Sequence, residues 1–97
     1  MIAALFATSM LASFYWQGTQ TASGERFDPD GMTAAHRLLP FGTMLRVCYL
    51  GCVSVRVNDR GPWNKRYPAV EIDLSRGAAR AIGMEQVGIA RVTVTQE

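Results

Sequence analysis

The chain contains one histidine, His36, one lysine, Lys65, and two cysteines, Cys48 and Cys52. One histidine and two cysteines do not complete a tetrahedral site, so no metal or other cofactor is expected. No run of five like charges occurs, and the net charge is only +2. Nucleic acid is therefore not an expected partner. At 97 residues the chain is one domain's worth, too short for a two-domain, Rossmann-type or barrel-type α/β enzyme. With 48% hydrophobic and 19% charged residues, it has the composition of a folded domain with a small core. Nine of the ten basic residues are arginine, which favours planar, bidentate contacts over diffuse attraction.

No long hydrophobic run is present either. The opening MIAALFATSML is apolar but too short for a bilayer, which needs about 20 residues, so no stable membrane insertion is expected. Residues 1–11 read as a leader or the remnant of a secretory signal, and residues 12–97 as the domain. Basic residues are missing ahead of the apolar stretch, and Met10 and Ala12 make a poor cleavage site. A degraded signal and an ordinary leader both stay open.

The two cysteines flank Tyr49-Leu50-Gly51. A hairpin with a three-residue loop, Gly51 taking the left-handed position, would set Cys48 opposite Cys52. A disulfide there closes a very short loop and contributes about 2 kcal/mol. Free thiols are the other reading; a bond favours an oxidising compartment.

Residues 12–18, ASFYWQG, read as a first strand ending at glycine. TQTASGERFDPDGMT reads as a long surface loop of the kind that carries function. Thr33–His36 is a short strand. A hairpin follows, in which Leu45, Val47, Val53, Val55 and Val57 alternate with polar residues. VEID at 70–73 is another strand. Ser75 caps a helix from Arg76 to Ile82, closed by Gly83, with Leu74, Ala78, Ala81 and Ile82 as its apolar side. Ile89 to Thr95 alternates as a last strand, so the fold class is all-β, a closed or partly closed barrel with one short helix.

Val53, Val55, Val57 and Asp59 share a parity, which predicts that Asp59 points with the valines toward the interior. At the rim of a core its charged form would be disfavoured, suiting a general acid. The other reading is that Asp59 caps the Arg-Gly-Pro turn after it. His36 reads as a packed histidine, Glu25 as a solvated charge and Asp73 as a helix-start acid, unless a site gathers them. Phe14, Tyr15, Trp16 and Trp63 could all be core, although Trp16 and Trp63 lie beside glycine and proline where a ring can stack on a sugar.

The runs ASFYWQGTQTASGERFDPDGMTAAHRLLPFGTMLRV, VSVRVNDRGPW and EIDLSRGAARAIGM, in that order over residues 12–95, resemble the rare lipoprotein A (RlpA) type of barrel. TASGE, TAAH, LPFGT, VNDRGP and IDLS form a specific composite. More distantly the chain is similar to expansins and barwin-like proteins. The resemblance implies a six-stranded double-psi β-barrel and a lytic transglycosylase acting on peptidoglycan glycan strands poor in stem peptides. The chain is expected to act as a monomer, exported to the periplasm or cell envelope.

By that resemblance the catalytic positions fall on Asp59, His36 and Glu25, and Asp73 lines the same groove. Asp59 would protonate the glycosidic oxygen and then accept the proton of the sugar's 6-hydroxyl, giving 1,6-anhydro ends. His36 would orient the substrate or Asp59, and Glu25 would stabilise positive charge at the anomeric carbon. Tyr15, Trp16, Asn58 and Arg60 are candidate substrate ligands. The alternative is an expansin-like module that binds or loosens glycans without cutting them.

Overall fold

A computed structural model describes residues 7–97. Alternating valines, leucines and alanines build six strands: β1 (Thr8–Tyr15), β2 (Thr33–His36), β3 (Met44–Cys48), β4 (Cys52–Asp59), β5 (Val70–Ser75) and β6 (Ala90–Gln96). One short helix, α1 (Arg76–Ala81), lies between β5 and β6. The strands close in the order β1-β5-β2-β4-β3-β6. Two neighbouring pairs, β1 with β5 and β2 with β4, run parallel, and the other four are antiparallel. This is the six-stranded double-psi barrel that the motifs imply.

Leu45, Val47, Val55, Val57, Ile72, Leu74, Val92 and Val94 fill the interior and are buried. Burying such a side chain stabilises the fold by roughly 1.5–3 kcal/mol. The Ser75 hydroxyl accepts the Ala78 N–H and caps α1. The buried side of α1 is Gly77, Ala78 and Ala79, continued by Ile82, whereas Ala81 is exposed. The expected apolar stripe is thus one residue off at Ala81, because the first turn lies against the Asp28–Gly31 segment. Gly77 donates to the Pro29 carbonyl at 2.8 Å, an approach only a glycine permits.

The first strand begins at Thr8 and ends at Tyr15, not at 12 and 18. Thr8–Leu11, read as part of a leader, pair with β6. The rest of the leader reading, residues 1–6, lies outside the described residues. At the β3–β4 turn Cys48 and Cys52 are register partners and form a disulfide, with Cα atoms 4.1 Å apart. Gly51 does not take the left-handed conformation expected of it. The Ile82 carbonyl accepts the N–H groups of both Leu50 and Gly51, so the turn is shaped by docking on the end of α1. Among the described residues no helix is long and apolar enough to cross a membrane.

Candidate active site

The register of β2 against its two neighbours sets the site. Ala34 pairs with Leu74 on one side and Val57 on the other, all three pointing into the core. The next residue, Ala35, pairs with Asp73 of β5 and with Asp59 of β4. Asn58 is skipped in that ladder, a bulge of one extra residue in β4. The bulge reverses the alternation, so Asp59 faces outward with Ala35 and Asp73, away from Val57. The parity argument that put Asp59 on the valine face fails for this reason. Ser13 and Tyr15 of β1 share the outward side, because Ser13 pairs with Asp73 and Tyr15 with Ser75.

These residues line a groove of about 530 Å³ together with Phe14, Gln17, Arg60, Trp63 and Asn64. The Asp59 carboxylate accepts the Tyr15 hydroxyl at 3.0 Å, the Ala22 N–H at 2.8 Å and the Arg60 N–H at 2.9 Å. It therefore lines the groove and also fastens the Arg60 turn, the second of the two readings of the sequence. Tyr15 is stacked on Phe27, with centroids 4.5 Å apart, which fixes its hydroxyl. Burial first, then the Asp59 charge, pushes the Tyr15 phenol far above its ordinary range and keeps it a neutral donor. Asp73 accepts the Ser13 hydroxyl at 2.8 Å. Burial pushes its carboxyl up to about 6; the Ser13 hydrogen bond opposes this and the Asp59 charge adds to it.

The remaining predicted residues are distributed less simply. Glu25 does not line the groove. It forms a two-pronged ion pair with Arg56, at 2.6 and 2.8 Å, and those hydrogen bonds hold its carboxyl below the usual range. His36 has the parity of Ala34 and is absent from the groove lining. Its Nδ1 accepts the N–H groups of Leu38 and Leu39, both at 3.1 Å, and burial lowers its basicity, so the ring is neutral. Its carbonyl accepts Arg60 Nη1 at 3.3 Å, which links the residue to the groove through the backbone.

Asn58 is the bulged residue and is 1% exposed, so it cannot reach a ligand as expected. Trp16 is half-exposed beside Phe14 but outside this groove. Trp63, read from the sequence as a ring able to stack on a sugar, does line the groove, and the polar lining residues that sequence reasoning missed are Ser13, Gln17 and Asn64. Ser13 was accessible to reasoning, since it shares the parity of Tyr15 on β1. No cluster able to hold a metal ion is found among the described residues.

The chain matches the family described as "Lytic transglycolase" over residues 7–94. It is 50% identical over 92 residues to a probable endolytic peptidoglycan transglycosylase RlpA of Nostoc sp., aligning 87% of this chain with 24% of that protein. It is 45% identical over 96 residues to the endolytic peptidoglycan transglycosylase RlpA of Pseudomonas aeruginosa, 91% of this chain against 27% of that one. The chain thus spans about a quarter of the length of these relatives. An expansin from Clavibacter michiganensis superposes with a TM-score of 0.75 at 24% identity, over 95% of this chain and 50% of that one. The Streptomyces papain inhibitor does so with 0.73 at 19%, over 94% and 93%. At such identities the two structures speak for the fold. Sequence motifs, closed barrel and family match agree: the chain belongs to the lytic transglycolase family of double-psi β-barrels.

Proposed function

We propose that the chain is the catalytic barrel of a peptidoglycan lytic transglycosylase, cleaving glycan strands poor in stem peptides in the periplasm or cell envelope and acting as a monomer. The observation that carries this reading is the pair of carboxyl groups on either side of Ala35, held in unlike environments. Burial raises the carboxyl of Asp73, while hydrogen-bond donors surround that of Asp59, so one groove holds a proton carrier beside a proton acceptor.

Asp73, raised to about 6, carries the proton for the glycosidic oxygen. Asp59, faced by three N–H and O–H donors, serves as the carboxylate. It stabilises positive charge at the anomeric carbon and accepts the proton of the 6-hydroxyl as that oxygen closes the 1,6-anhydro ring. This divides between Asp73 and Asp59 the two proton transfers that the resemblance placed on Asp59 alone, and moves to Asp59 the charge stabilisation that it placed on Glu25. Tyr15 orients Asp59. His36 acts through Arg60 and the 37–39 turn, and Glu25 through Arg56, as positioning residues.

Incubation with peptide-free glycan strands, followed by mass spectrometry, tests the reading. Soluble products with 1,6-anhydro ends are expected, and Asp59→Asn should lose at least about 100-fold in rate. Reducing ends in their place would mean hydrolysis, the other outcome open to two carboxyl groups. Binding without any soluble product would leave an expansin-like, non-cutting module; a module that only binds has no evident need for a half-buried carboxyl pair.

A further inference from the structure

Arg60 is the one cationic side chain among the described residues that line the groove. Its backbone N–H donates to Asp59, and its guanidinium lies over the Phe41 ring, 4.0 Å from the centroid. Among the described residues it forms no ion pair. Its two hydrogen bonds, to the carbonyls of His36 and Asp59, are long at 3.3 and 3.4 Å and both use Nη1. Nε and Nη2 donate to nothing among the described residues.

Arg37 shows what a structural arginine looks like in the same neighbourhood. Its Nε and Nη2 are spent on the carbonyls of Pro62, Pro68 and Val70 at 2.8, 3.2 and 2.8 Å, and it stands behind Trp63. Arg60 is positioned without being consumed.

A groove floored by two carboxyl groups repels an anionic ligand unless a cation faces it. Hydroxyl groups of a neutral sugar need no guanidinium, since the Gln17 and Asn64 amides already line the groove. A guanidinium with two unspent donors matches a carboxylate, which it can hold through paired N–H bonds. Resting on the glycan-cleaving reading above, we infer that Arg60 is a specificity-determining residue that pairs with the carboxylate of an acidic sugar, the free lactyl group of a muramic acid unit. Where a stem peptide is attached, that carboxylate is an amide and the pairing is lost. The groove therefore selects strands whose lactyl groups are free.

The test is a titration of intrinsic tryptophan fluorescence with peptide-free glycan strands, before and after carbodiimide coupling of their lactyl carboxylates to methylamine. Cooperative thermal unfolding serves as the control for folding. The wild type should bind free-carboxylate strands about tenfold more tightly than amidated ones. Arg60→Gln should bind both as weakly as the wild type binds amidated strands, with cooperative thermal unfolding retained. Arg60→Lys, which keeps the charge without the planar fork, should keep part of the preference. Equal binding of the two strands by the wild type, or a full preference in Arg60→Gln, overturns the assignment. A tenfold preference with no 1,6-anhydro product would sink the cleavage reading and leave the assignment of Arg60 standing.

Discussion

Asp59 and Asp73 sit in register with the same residue, Ala35, one on each side of it; Asp73 turns outward by the regular alternation of β5, and Asp59 because Asn58 is bulged from β4. One extra residue in a strand thus converts an apparent core-facing acid into half of a carboxyl pair at the floor of a groove.

The pair makes stability and activity depend on Asp73 in opposite senses. Its proton affinity is raised on folding, from 3.8 to about 6, so between those values the folded chain holds the proton more tightly than the unfolded one. Stability should therefore fall as pH rises through that window and stay lowered above it. Asp73→Asn should raise stability at pH 7 by about 1–3 kcal/mol, read as a shift of the urea midpoint. The same substitution should slow cleavage by roughly 100-fold or more and remove the fall in rate above pH 6. A variant with unchanged stability and an unchanged pH profile would show that this carboxyl is ionised and idle.

Tyr15 contributes through its hydroxyl. Tyr15→Phe keeps the stacking on Phe27 and removes the hydrogen bond to Asp59. A bond to a charged acceptor is worth about 1.5–3 kcal/mol, and the groove's access to water trims this toward about 1–2. Chemical denaturation should show that loss, and kcat should fall about tenfold while KM changes little.

Gly77 tests the packing that seats the helix. A Cβ there would lie 2.5 Å from the Asp30 carbonyl oxygen, and the obstacle is backbone. Gly77→Ala should cost about 2–3 kcal/mol despite the better helix propensity of alanine, and lower the thermal midpoint by about 10 °C or more. Unaltered melting would mean that the Asp28–Gly31 segment yields freely.

The disulfide should matter for stability and little for catalysis. The turn it staples docks on Ile82, and neither cysteine lines the groove. Reduction should add two mass units, cost about 2 kcal/mol of stability and leave the cleavage rate within a factor of two. A large loss of activity in the still-folded reduced protein would tie the turn to the groove.

Strand and helix were legible along the chain because their signals are local. The alternation of Val53, Val55 and Val57, of Ala90, Val92 and Val94, and the capping hydroxyl of Ser75 each report on neighbours a few residues away. The cross-strand meeting of Cys48 and Cys52 was legible for the same reason. The residues at 59, 73, 15 and 60 could be named as a set from motifs, but their directions could not.

Which way Asp59 points depends on Asn58 being skipped when β4 lies beside β2, and that ladder joins segments more than twenty residues apart. Likewise Glu25 turns to Arg56 and the imidazole of His36 turns to its own following turn, choices made by whatever donors the closed barrel brings near. Local chemistry along the chain determined the elements and the family. Only closure of the sheet, where register and burial are settled together, decided which acids share a groove and which cation is left unspent beside them.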